Sequence, residues 1–215
     1  MRAFLPSLIL CAMLASCARP EALPEFDRPA LLELAPADSV ADIRTADRHI
    51  LVVRHARKVS PDCNELACPL SAQGEAMVAR LDGLLGLPDM EQVLASAACR
   101  TVRTAEAGGD AVIVHQAADG LESGCDAEDI VTRSRADAFA DAAASPARWT
   151  LVAEHSNTSC LWLSQFAGLA ASETVGCTDG RLADAAYGDI FWLYRLDGAW
   201  QVTVLPAVFE VDAAG

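Results

Sequence analysis

Cations are scarce in this chain of 215 residues: 16 lysines and arginines stand against 30 aspartates and glutamates, for a formal net charge of −14. That balance excludes a general affinity for nucleic acid or anionic headgroups, which need a positive surface. Lysine is nearly absent, with Lys58 alone among the cations that are otherwise arginine. Long apolar runs are missing too. The one sustained stretch, Ala3 to Ser16, is too short for a membrane span, and Pro6 interrupts it. The 8 cysteines include no CxxC pair, which weakens a zinc reading, and no internal repeat is visible. What is there is a chain 53% hydrophobic, enough for a sizeable core, and long enough for one domain plus extras.

Arg2 followed by the apolar stretch fits a signal-peptide core. Leu14-Ala15-Ser16-Cys17 resembles the bacterial lipobox, in which the cysteine is lipidated and becomes the new N-terminus. An ordinary secretory signal with a coincidental cysteine is the alternative. The resemblance implies a signal peptide over 1–16 and an acylated N-terminus at Cys17, held to a bilayer by acyl burial; the rest of 17–47, rich in Ala, Pro, Asp and Glu with no sustained apolar face before "ALLEL", reads as a tether with one short helical piece. Ala18 stands where an aspartate would mark inner-membrane retention, so the same resemblance implies the outer membrane, facing the periplasm. Six cysteines remain beyond Cys17: Cys63, Cys68, Cys99, Cys125, Cys160 and Cys177. An even number in an oxidising compartment is expected to form disulfides. Cys63 and Cys68 bracket the short loop "CNELAC" and are the pair expected first. The other pairings stay open, and a zinc site or a catalytic cysteine is a rival reading.

From His49 onward strand-like and helix-like segments alternate. "ILVV" reads as a strand buried on both faces. "LSAQGEAMVARLDGLLG" has helical spacing, with Ser71 as cap and Gly86 and Pro88 as its end. "EQVLAS", "DAVIVH" and "WTLVAEH" read as further strands. "CRTVRTAEAGG", most of Asp126 to Ala144, and "NTSCLWLSQFAGLA" read as helices, and "GDIFWLYRL" and "WQVTVLPAV" as a hairpin across "DGA". The order predicts an α/β domain with a largely parallel sheet and antiparallel strands at the end. Sites of such sheets lie at the carboxyl ends of strands.

Three of those ends carry reactive side chains: Arg54-His55, Ser96 with Arg100 one helical turn on, and Glu154-His155-Ser156-Asn157. Two histidines and two arginines then converge where helices begin. Helix N-termini attract anions, and arginine matches phosphate oxygens bidentately. Taken singly, each residue reads as structural or solvated. His115 ends the third strand and reads as structural or site-edge; His49 reads as surface; Trp149, Trp162, Trp192 and Trp200 read as core.

"VVRHARK", "LSAQGEAMVARL", "ASAACRTVRTAE" and "VAEHSNT" together resemble the histidine phosphatase superfamily, also called the phosphoglycerate mutase-like fold. Arg54-His55-Ala56 matches its R-H-G/A motif, Ser96, Arg100, Thr104 and Ala105 match S-x-x-x-R-x-x-x-T-A, and His155 matches the second histidine. Tyr187 sits where such proteins have an aromatic residue before the last hairpin. The resemblance covers about residues 48 to 206 and implies a three-layer α/β/α sandwich, with the domain expected over 48–210. It also implies a phosphomonoester hydrolase with His55 as nucleophile, Arg54, Arg100 and His155 on the phosphoryl oxygens, a small-molecule substrate, and no metal or cofactor. An anion-binding lipoprotein without turnover, and a phosphomutase, are the other readings.

Departures from the pattern bear on the site. Arg57, followed by Lys58, replaces the usual Glu or Gln after R-H-G/A. Either these cations enlarge the phosphate-binding pocket, or Arg57 points outward to a carboxylate. Glu154 stands where small residues are usual; it either orients His155 or faces away, since strand neighbours alternate sides. For the general acid, "ADGLESGCDAED" offers Asp119, Glu122, Asp126, Glu128 and Asp129. Glu122 follows Leu121 much as the family's donor follows its leucine, with Asp126 or no donor at all as alternatives.

Overall fold

The computed structural model describes residues 26–117, 124–125 and 130–212. The leader, Cys17 and all five candidate acids, Glu122 among them, lie outside the described residues. Six strands form one sheet: β1 (Arg48–Arg54), β2 (Gln92–Ser96), β3 (Val112–His115), β4 (Trp149–Glu154), β5 (Ile190–Leu196) and β6 (Ala199–Leu205). Their order is β3-β2-β4-β1-β5-β6. The first four are mutually parallel, and β5 and β6 run antiparallel at one side. The α/β sandwich with a mostly parallel sheet is therefore observed as expected.

The period of two along the strands sorts the core into two layers. On one face Leu51, Val53, Val93, Leu151 and Trp192 pack with Met77, Val78 and Leu81 of α3 (Ala72–Leu85). On the other face Ile50, Val52, Leu94, Val152 and Phe191 pack with Ala138 and Ala142 of α5 (Arg135–Ala144). Trp162 and Leu163 of α6 (Ser156–Ala167) complete that second layer. Each aliphatic side chain fully buried here contributes about 1.5–3 kcal/mol. β1 is buried along its whole length, as its aliphatic run predicts.

Local chemistry sets the ends of these elements. Ser71 Oγ accepts a hydrogen bond from Gly74 N at 3.0 Å, capping α3. Gly86 follows the helix at φ 64°. The hairpin turns on Asp197 and Gly198, both at positive φ (51° and 80°), which is the primed geometry that matches strand twist. Trp149, Trp162 and Trp192 are buried and Trp200 is half-buried.

Four expectations are corrected. Ala18 to Asp47, read as a tether with one short helical piece, carries two helices, α1 (Pro29–Leu34), which covers "ALLEL", and α2 (Val40–Thr45). Phe26, Leu31, Leu32 and Ile43 enter the core, and the Arg28 guanidinium donates to Leu85 O and, at 2.7 Å, to Pro88 O past the end of α3. The packed unit thus begins before residue 48. The helix expected over Asp126 to Ala144 starts only at Arg135, because Ser134 and Asp137 cap each other's backbone N–H there. The helix expected over 157–170 is split by Gly168 at φ 89° into α6 and α7 (Leu169–Thr174). His49 is not on the surface: it lies within β1, stacks on Trp149 at 4.1 Å between ring centroids, and accepts from Trp192 Nε1 at 3.1 Å.

All six cysteines beyond the leader are paired, as Cys63–Cys68, Cys99–Cys125 and Cys160–Cys177, with Cα separations of 5.8, 4.4 and 5.8 Å. The first is the pair expected from the "CNELAC" spacing. Pairing removes the zinc and catalytic-cysteine readings.

Candidate active site

β2, β4 and β1 are adjacent and parallel, so their carboxyl ends share one edge. There Arg54, His55, Arg100 and His155 line a single pocket of about 850 Å³. Arg57 also lines it. All five site residues that can be placed are thus brought together. Lys58, weighed with Arg57 as a pocket cation, lines it as well, and added to them are residues to which the sequence assigned no role: Arg181, Asp184, Asn64 and Gln73. Arg181 and Asp184 lie outside every motif, and only the fold brings them to this edge.

His55 is held by its backbone and by its ring. Its N–H donates to Glu154 O at 2.8 Å, carrying the β1–β4 ladder one residue past the strand. The next N–H, of Ala56, donates to Thr104 Oγ1 at 2.9 Å, and Thr104 donates in turn to Arg100 O at 2.6 Å. One hydroxyl thereby ties the loop after β1 to α4 (Cys99–Ala105). His55 Nδ1 lies 2.8 Å from Ala56 O. A carbonyl only accepts, so Nδ1 carries the hydrogen and Nε2 of the neutral ring keeps its lone pair. Burial pushes the His55 pKa well below the ordinary 6.5, aided by the cationic surroundings of Arg100 and Arg54. The ring is neutral at physiological pH.

The arginines are the unusual feature. Arg54 is 9% exposed and Arg100 7%. Arg54 donates to Ala183 O, Asp184 O and Tyr187 Oη at 3.1–3.2 Å, and its guanidinium lies 3.9 Å from the Tyr187 ring centre. Arg100 donates to Glu65 O at 2.8 Å and lies 3.5 Å from His155 Nδ1. Neither makes a salt bridge among the described residues, and Nε of each is buried without a hydrogen-bond partner. Two buried charges in an acidic protein are left without a carboxylate among the described residues. Unpaired buried charge costs several kcal/mol, and an anion in the pocket offsets that cost.

His155 sits at the start of α6, its N–H donating to Thr158 Oγ1 at 3.0 Å. Its ring centre lies 5.3 Å from that of His55. Arginine is always a donor, so the contact with Arg100 assigns the lone pair to Nδ1 and leaves Nε2–H as a donor. Burial, then Arg100, push its pKa down to about 4.

Glu154 faces away from the pocket. Its carboxylate accepts from His115 Nε2 at 2.7 Å, Trp162 Nε1 at 2.8 Å and Thr158 Oγ1 at 2.6 Å. Against the opposing effect of burial, these bonds with His115 first hold its pKa down to about 2. His115 is therefore a structural partner one layer below the site. Arg57 lines the pocket, and its Nε donates to Glu210 Oε1 at 2.6 Å.

No protein-family model and no curated protein matches the chain. Solved structures do. "Mycobacterial hydrolase 2" superposes with a TM-score of 0.51 at 15% identity, over 78% of this chain and 93% of that one. The chain has the phosphoglycerate mutase-like fold. A mycobacterial glucosyl-3-phosphoglycerate phosphatase in complex with inorganic phosphate gives 0.48 at 18% identity, covering 77% of this chain and 100% of its own. A structure described as a phosphohistidine phosphatase from Nakamurella multipartitia gives 0.46 at 22%, covering 73% and 94%.

Proposed function

We propose that this chain is a phosphomonoester hydrolase that works through a phosphohistidine on His55. The observation that carries the reading is the pair of buried guanidiniums without carboxylate partners among the described residues, Arg54 and Arg100, beside a neutral histidine whose Nε2 is unprotonated. In the first step the Nε2 lone pair attacks phosphorus, and the bond from phosphorus to the ester oxygen breaks. The departing alkoxide takes a proton from a general acid or from water. Glu122 is the proposed acid, by its place after Leu121. Arg54, Arg100 and His155 Nε2–H hold the three non-bridging oxygens, where fixed donors stabilise the charge of transfer. In the second step water attacks phosphorus, the P–N bond breaks, phosphate leaves, and Nε2 regains its lone pair.

The proposed setting is the periplasmic face of a bacterial outer membrane, with Cys17 as the lipidated residue. The lipobox-like Leu14–Cys17 supports it, as do three disulfides, which persist in oxidising compartments.

Hydrolysis of p-nitrophenyl phosphate tests the activity. Wild-type protein is expected to turn it over, and His55→Ala to lose at least about a thousandfold in kcat. No turnover by folded wild-type protein, with phosphate still bound, would leave only the anion-binding alternative.

A further inference from the structure

The pocket is far larger than one phosphate needs, and its charge does not end at the phosphoryl clamp. Beyond Arg54 and Arg100 the wall carries Arg57, Lys58 and Arg181, against Asp184 as the single lining carboxylate among the described residues. These side chains are positioned and have donors to spare. Arg57 lies flat on the Tyr187 ring, 4.5 Å from its centre, on the same ring that carries Arg54. Its described hydrogen bond uses Nε, which leaves the terminal nitrogens uncommitted among the described residues. Lys58 Nζ donates to Cys63 O at 2.8 Å and Asn64 Oδ1 at 2.7 Å, and the ammonium has a third hydrogen. Arg181 meets Asp184 at 3.7 Å, too far for a hydrogen bond.

The only lysine of an acidic chain is therefore fixed at this mouth, near enough to His155 to act on its charge. Surface cations meant only for solubility would be scattered among carboxylates, not gathered where two buried arginines already lack a carboxylate partner among the described residues.

We propose that Arg57, Lys58 and Arg181 form a second anion subsite, so that the substrate is a small phosphomonoester bearing a further acidic group, carboxylate or phosphate. This rests on the phosphomonoesterase reading above for the identity of the first group, but its test does not need turnover.

Calorimetric titration of the full chain with three non-hydrolysable phosphonates separates the claims. Propylphosphonate has one acidic group; 3-phosphonopropionate replaces its methyl with a carboxylate; ethane-1,2-bisphosphonate replaces it with a second phosphonate. A longer set with four methylenes covers a more distant subsite. At one spacer length the doubly acidic ligands are expected to bind at least about tenfold tighter, the worth of one charge-assisted contact. The better of the two names the second group. In Lys58→Met/Arg181→Gln that advantage is expected to shrink to about twofold. Equal binding of the single and double acids at both lengths overturns the subsite and leaves the hydrolase reading standing. An advantage unchanged in the double variant also overturns it. Failure of every phosphonate to bind overturns both readings. Binding as expected with no ester hydrolysis keeps the subsite and removes the enzyme.

Discussion

Glu154 links the two site histidines without touching either ring. Its carbonyl accepts the His55 N–H, and its carboxylate holds the Thr158 hydroxyl that receives the His155 N–H. Three donors, from His115, Trp162 and Thr158, are aimed at that one buried carboxylate. Glu154→Ala leaves all three unsatisfied and is expected to cost about 3–5 kcal/mol in urea unfolding, with Glu154→Gln intermediate. Stability unchanged in the alanine variant would show that the carboxylate holds nothing in place. At this scale the sequence was informative where a residue sat in a motif at a strand end: Arg54, His55, Arg100 and His155 all meet. It misplaced His49 on the surface, because the stack on Trp149 and the hydrogen bond from Trp192 join positions about a hundred or more residues apart and leave no local pattern. It left the direction of Glu154 open, because alternation alone does not say which face of β4 lies over the pocket.

At the scale of elements, caps and turns were readable and long-range packing was not. Ser71 and Asp197-Gly198 act through their own backbone, and both were legible. The start of α5 was missed because its alanine-rich surroundings look helical on either side of the Ser134–Asp137 cap. α1 was legible only as a short helical piece at "ALLEL" and α2 was missed, because each has only 6 residues, too short to show a period. The "CNELAC" loop was readable as a disulfide, but its task was not. The carbonyl of Glu65 within it accepts from Arg100, the carbonyl of Leu66 accepts from Cys99 N at 2.8 Å, and Asn64 accepts from Lys58. The loop is a bracket for Arg100, one of the proposed phosphate ligands. Cys63→Ser/Cys68→Ser is expected to lose about 2 kcal/mol of stability, as loop closure of this size implies. It is also expected to raise KM for an aryl phosphate about tenfold more than it lowers kcat, since the guanidinium loses a fixed acceptor. An unchanged KM in a folded variant would show that Arg100 needs no bracket. Gly74 serves the same region: a Cβ there would stand 2.1 Å from Arg57 O, so only glycine lets α3 approach the loop after β1.

For the molecule as a whole, the contrast is between an acidic chain and a basic pocket closed around neutral histidines. Those rings have a cost in acid. His155 is held down to about 4 and His49 to about 3 by burial, with His55 also well below 6.5. Unfolded, all three take protons near 6.5. Between those values the unfolded state binds more protons, so stability rises with pH there. It is full above about pH 6.5 and is lost as pH falls through the window, by up to ~1.4 kcal/mol per pH unit for each histidine. Urea unfolding in phosphate-free buffer at pH 7 and pH 5 checks this, and equal stability at the two would contradict neutral burial. The α/β class was legible from the alternation of elements, and the three-layer sandwich from the motif order. The fit of the N-terminal helices against α3 was not, since it is decided by side chains that meet only in three dimensions. The proposed covalent step on His55 is what separates a hydrolase of this kind from a mere phosphate cradle or from direct attack by water. It is tested most directly by the stereochemistry at phosphorus. With an aryl phosphate made chiral by oxygen isotopes and an alcohol as acceptor in place of water, two in-line displacements through His55 give net retention of configuration. Inversion would mean a single displacement, and would contradict the phosphohistidine.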